Sequence, residues 1–257
     1  EYNSITKIKG DYETYSENDK FYPSHKINIK KRNIIKKLLK YGDDFFKKHK
    51  INYSIFYGTL LGYIRNKKII PYDHDIDCIV GKESINTFIN LANDKNIKNV
   101  IFTDEISDFD LDFNSENIYL LLNKSLLTNN GYGSKYNCKG VKSSNLDSCS
   151  FRGLIGRFIY KKYYYDLFSY SNNLKNFKKE YDNVFLSGEK NKIAYPSKIE
   201  DMSILNKNEI IQGNLEDINI SVLNNTLAKK SLKFYYGDDY MKPKKKKNMK
   251  NNFNLIA

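Results

Sequence analysis

Between Ile27 and Lys48 the apolar residues Ile27, Ile34, Ile35, Leu38, Leu39, Phe45 and Phe46 recur at helical spacing among lysines. That pattern predicts an amphipathic helix packed on a core by one stripe, with the lysines as its wet face. "INYSIFYG", Ile51 to Gly58, is short, β-branched and aromatic, and reads as a strand that stops at a glycine. "TLLGYIRN" resumes helical spacing through Leu60, Leu61 and Ile64, and "IIPYDHDIDCIV", Ile69 to Val80, follows as a strand. Further on, the pattern predicts a helix over 83–92, strands over 99–102, 118–123 and 158–170, a short helix in "NLKNFKKEYDNVFL", a turn at "AYPSK" and a helix ending at Gly237. Residues 1–24 are polar and aperiodic, a surface arm broken at Pro23. Residues 128–150 are a Gly-, Ser- and Asn-rich loop that could flap over a site, and 244–257 form a basic flexible tail. Helices and strands alternate without a strict βαβ period. The fold class is therefore α+β (mixed α/β), with one domain over 25–243.

The acidic strand raises the chemical question. Asp73, Asp75 and Asp77 stand at every second position in an otherwise apolar run, so they project to one side while Ile76 and Cys78 turn to the other. Carboxylates grouped beside a core require a cationic partner. A hard divalent ion, Mg²⁺ or Mn²⁺, meets that need and keeps positions for water and substrate phosphate. The plainer reading is an edge strand whose acidic face meets water or lysines. Upstream, the Gly58-Thr59 turn before a helix would leave backbone N–H groups and the Thr59 hydroxyl for a phosphate. Glycine turn, short helix and D-h-D strand, with h apolar, is the organisation of nucleotidyltransferase-fold enzymes. A second acidic row at Asp108, Asp110 and Asp112 lacks that turn and reads as a wet edge strand. Tyr163 to Tyr165 read as sheet filler, with stacking on a base or a cation as the alternative, and His25 and His49 show no metal-ligand spacing.

Charge and cysteine usage narrow the partners. The 257 residues carry 43 Lys plus Arg against 30 Asp plus Glu, a net charge of +13, which points toward polyanionic partners. The bias to Lys, Asn, Ile and Tyr, with no Trp, matches an A+T-rich coding sequence and weakens that inference, so nucleic acid is not the expected partner. No stretch approaches the ~20 apolar residues of a membrane span, and "EYNSITKIKG" has no signal-peptide core. The expectation is a soluble chain of unassigned compartment, with a targeting segment before Glu1 left open. Cys78, Cys138 and Cys149 are too few for a disulfide framework and lack zinc spacing; free thiols, or a Cys138–Cys149 bridge, are the readings.

Taken whole, "GTLLGYIRNKKIIPYDHDIDCIV" resembles the signature of the LicD and fukutin family of phosphotransferases. There, G-T-L-L-G-x-x-R leads through a Pro-aromatic-Asp step into D-x-D-h-D. "YYYDLF" and "YYGDDYMKP" are similar to the family's later elements, so the likeness runs from Gly58 to Pro243. Tyr72 stands where tryptophan is common, and His74 where bacterial members often have Asp. The resemblance implies a nucleotidyltransferase-like fold with a central mixed sheet flanked by helices. It also implies transfer of a phospho-alcohol, such as phosphocholine or ribitol phosphate, from a CDP-linked donor to a sugar hydroxyl of a glycan, with release of CMP. Asp75, Asp77 and Asp166 are then the catalytic and metal-binding residues, Asp166 as ligand or general base. Gly58, Thr59, Arg65 and Asp73 are the substrate or phosphate-binding residues, with a structural Arg65–Asp73 pair as the alternative for Arg65. A nucleotidyltransferase that releases pyrophosphate, or an inactive nucleic-acid-binding module of the same fold, are the alternative functions.

Overall fold

The computed structural model describes residues 11–81, 84–103, 116–123, 154–161, 163–170 and 210–243. In chain order these form β1 (Tyr12–Thr14), β2 (Lys26–Asn28), α1 (Ile29–Lys48), β3 (Tyr53–Ile55), α2 (Tyr57–Asn66), β4 (Asp75–Gly81) and α3 (Ile85–Asn93). They continue with β5 (Val100–Thr103), β6 (Tyr119–Asn123), β7 (Leu154–Tyr160), β8 (Tyr163–Tyr170), β9 (Ile210–Leu215), β10 (Ile218–Leu223) and α4 (Asn225–Tyr236). Among the described residues β3-β4-β8-β7-β6-β5 make one mixed six-stranded sheet, with β4 parallel to β8 and β5 parallel to β6. The expected α+β class and mixed central sheet are what the structure has.

The long helix follows from its apolar stripe. Ile34, Ile35, Leu38, Leu39 and Phe46 are buried, Asn28 caps the start through Lys31 N, and Lys47 and Lys48 lie in the last turn, where the helix dipole favours cations. Phe46 meets Tyr53, Phe158 and Tyr165 edge-on or tilted, so α1 covers one face of the sheet. Gly42 makes this approach close, because a Cβ there would sit 2.3 Å from the Tyr165 ring.

Four expectations change. The stretch 158–170 is two strands, β7 and β8, reversing at Lys161, which has φ +55°. The β9–β10 hairpin was not expected; its turn places Glu216 and Asp217 at φ +52° and +66°, where glycine or asparagine usually sits. Residues 11–24 are not simply a surface arm: Tyr15, Phe21 and Tyr22 are buried in the core. Gly58 closes no strand, because β3 ends at Ile55 and Gly58 lies in the first turn of α2. The acidic row at 108–112, the 128–150 loop, Cys138, Cys149, the helix and turn expected over 173–198 and the 244–257 tail lie outside the described residues. Cys78 is a buried free thiol. No helix among the described residues is long and apolar enough to cross a membrane.

Candidate active site

The strand β4 begins at Asp75, and alternation turns Asp75 and Asp77 to one face while Ile76 and Cys78 are buried on the other. Parallel pairing sets Asp77 beside Asp166 and Asp75 beside Tyr164 on β8. Asp75, Asp77 and Asp166 each bring a carboxylate oxygen within 4.8 Å of the others'. Three hard oxygen donors at that separation fit a divalent ion such as Mg²⁺ or Mn²⁺. The next strand, β7, sets Arg157 opposite Asp166. Arg157 Nε donates to Asp166 Oδ1 at 2.6 Å and Nη2 to Oδ2 at 2.7 Å, a bidentate pair. The Tyr164 ring lies 4.4 Å from the guanidinium carbon.

The carboxylates strain against their setting. Burial, then the charges of Asp75, Asp166 and Asp73, push the Asp77 carboxyl well above the usual range. Asp73 is raised in the same direction by burial and by Asp75. Burial also raises Asp166, with the Arg157 charge opposing it. On α4 the Tyr236 phenol is pushed up by burial and then by the charges of Asp77, Asp73 and Asp75.

Asp73 does not continue the row. It precedes β4 in the turn after Pro71, its N–H donating to Ile70 O at 3.0 Å, and its carboxylate folds onto the first turn of α2. A Cβ on Gly58 would lie 2.6 Å from Asp73 Oδ2, so the space that the glycine opens is filled by Asp73. Thr59 Oγ1 accepts the N–H of Asp77 at 2.9 Å, and Phe56 N donates to Asp77 O at 2.8 Å. The Gly58-Thr59 turn therefore locks α2 to the acidic strand.

Arg65 does not make the Asp73 pair that was its structural alternative. Its Nη1 donates to Tyr22 Oη at 2.6 Å, and Nη2 donates to the carbonyls of Tyr240 and Lys242. It fastens the N-terminal and C-terminal segments to α2 and makes no ion pair with Asp73 among the described residues.

Two cations of the site were missed in the sequence. Lys31, assigned to the wet face of its helix, is 93% buried, with Nζ 3.3 Å from His74 Nδ1 and 3.4 Å from Pro71 O. Burial holds its ammonium below the usual lysine range, although Asp73 and Asp75 pull the other way. Arg157 was also missed; its signal was an arginine amid the apolar strand "LIGRFIY" of a chain that mostly uses lysine.

Residues 50–120 match the model of the family described as LicD/FKTN/FKRP, nucleotidyltransferase domain. The chain is similar to the lipopolysaccharide cholinephosphotransferase LicD of Haemophilus influenzae, 31% identical over 67 residues. That likeness covers 26% of this chain and about a quarter, 25%, of the relative's length. The family match spans the α2–β4 unit that carries the Gly58-Thr59 turn and the first two carboxylates.

Proposed function

We propose, from the premise that residues 50–120 carry the nucleotidyltransferase domain of the LicD/FKTN/FKRP family, that this protein is a metal-dependent phosphotransferase. It moves a phospho-alcohol, phosphocholine-like or ribitol-phosphate-like, from a CDP-linked donor to a sugar hydroxyl of a glycan. The observation that carries the reading is the approach of Asp75, Asp77 and Asp166 to within 4.8 Å on neighbouring parallel strands, the first two inside the matched segment and the third beyond it.

In this reading Asp75, Asp77 and Asp166 hold Mg²⁺ or Mn²⁺. When bound, the ion supplies Lewis-acid neutralisation of the donor's diphosphate and of charge on the leaving group. The acceptor oxygen bonds to the phosphorus bearing the alcohol as the bond to the bridging oxygen breaks; CMP leaves with that electron pair, and the hydroxyl proton is released. The Arg157 fork on both Asp166 oxygens fixes that carboxylate in orientation beside Asp77, which supports a ligand role for Asp166 over general-base duty. Asp73 and Thr59 set the turn that aims β4, and Arg65 ties the flanking segments to it.

The test is a donor screen with CDP-choline, CDP-ribitol, CDP-glycerol and nucleoside triphosphates, scored by CMP against pyrophosphate. CMP release that needs Mg²⁺ or Mn²⁺ and an acceptor is the expected result. Pyrophosphate as the product would move the protein to nucleotidyl transfer, and salt-sensitive nucleic-acid binding without turnover would remove enzymatic function.

A further inference from the structure

We propose that Arg157 is a phosphate ligand of this site as well as the partner of Asp166, gripping the donor's diphosphate with the edge of its guanidinium that Asp166 leaves open; the inference rests on the phosphotransferase reading. A guanidinium carries five N–H donors in one plane. Asp166 takes the Nε–H and one Nη2–H. The other Nη2–H and an Nη1–H form a second fork along the end of the group. Among the described residues Nη1 has no hydrogen-bond partner. The side chain keeps 17% of its surface exposed.

Its orientation is fixed twice. The bidentate bond sets the plane, and the Tyr164 ring 4.4 Å away backs one face. Tyr164 stands opposite Asp75 in the parallel register, so the backed guanidinium lies at the rim of the carboxylate cluster. A group whose phosphates are drawn to an ion on those carboxylates arrives beside a planar two-donor fork, the geometry that matches phosphate oxygens. Lysine could not reproduce it, since a point charge cannot serve Asp166 and a phosphate through two separate edges.

The experiment measures two affinities on the full chain: Mn²⁺ alone, by its paramagnetic resonance signal, and CDP at saturating Mn²⁺, by calorimetry. Arg157→Gln should weaken CDP binding about 10- to 100-fold, the range for a lost charge-assisted pair, while Mn²⁺ alone changes by less than about threefold. Arg157→Lys, which keeps the charge should the Gln variant fail to fold, should still lose about tenfold for CDP. A parallel fall in Mn²⁺ affinity would show that Arg157 only positions Asp166. CDP binding unchanged in a folded variant would remove the phosphate role while leaving the phosphotransferase reading intact. A wild-type protein that binds no CDP with Mn²⁺ would overturn both.

Discussion

Two settings of acid, one buried and one half-buried, divide the molecule. Asp43 on α1 is 5% exposed and fully answered: Oδ1 accepts the Tyr53 hydroxyl at 2.7 Å, and Oδ2 accepts Lys47 Nζ at 2.6 Å. The Tyr53 oxygen in turn accepts Ser221 N at 3.1 Å, so one carboxylate ties α1, β3 and β10 together. Asp75, Asp77 and Asp166 are crowded instead, with Arg157 answering Asp166 and the rest facing one another. Where the protein supplies every partner, the acid is architecture. Where it withholds them, the acid is held ready for something from outside, and the withheld partners locate the site.

The comparison breaks most sharply at Asp75 and Asp77. Asp75→Asn or Asp77→Asn should lower turnover by about 1,000-fold or more, ~4 kcal/mol of transition-state stabilisation, while raising the melting temperature of the metal-free protein. A variant that is inactive and also less stable would make these acids architectural. Asp43→Ala should do the reverse, costing about 2–4 kcal/mol in denaturant unfolding and leaving Mn²⁺ affinity unchanged.

The pH dependence sharpens the same contrast. Asp73 and Asp77 have folded pKa values above their unfolded ones, so the native state binds more protons than the unfolded state. The metal-free protein should lose stability as pH rises from about 4, the unfolded carboxylate value, through the raised folded values. Saturating Mn²⁺ or the Asp77→Asn change should flatten that slope, and a melting curve insensitive to both would contradict it. Gly58→Ala, which forces a Cβ against Asp73, should cost ~1–3 kcal/mol, with part of the loss recovered by adding Asp73→Ala. The exposed Lys40–Asp44 pair sets the floor: Lys40→Ala should change stability by less than about 0.5 kcal/mol.

What the sequence made readable was whatever repeats locally. The α1 stripe, the Asp75–Asp77 alternation and the Gly237 stop all lie within one element, where period and caps speak directly. Asp73 shares the two-residue spacing yet sits in a turn, because Pro71 and the Ile70–Asp73 bond delay the strand. Lys31 looked wet because a helical wheel cannot know that the 71–74 turn covers that part of α1. Arg157 was hidden by a hairpin that reverses at Lys161 without glycine, so its register with Asp166 left no local mark. The β9–β10 turn escaped for a related reason. Glu216 tolerates its left-handed backbone while its carboxylate, 1% exposed, binds Arg32 and the N–H of Ile69, two long-range partners invisible to a window of neighbours.

That last contact has a consequence in time. Ile69 N–H leads into the acidic turn, and the group that receives it is made 147 positions later. Arg65 waits still longer, 175 positions, for the carbonyl of Tyr240. During synthesis the segment bearing Asp75 and Asp77 therefore emerges well before the pieces that hold it in shape, and long loops must close before the pocket exists. A ribosome-stalled chain ending near residue 200 should capture little Mn²⁺, and capture should appear once the hairpin carrying Glu216 has cleared the exit tunnel. On the proposed function, the order of manufacture would thus keep a half-made site from seizing metal or nucleotide before it is complete.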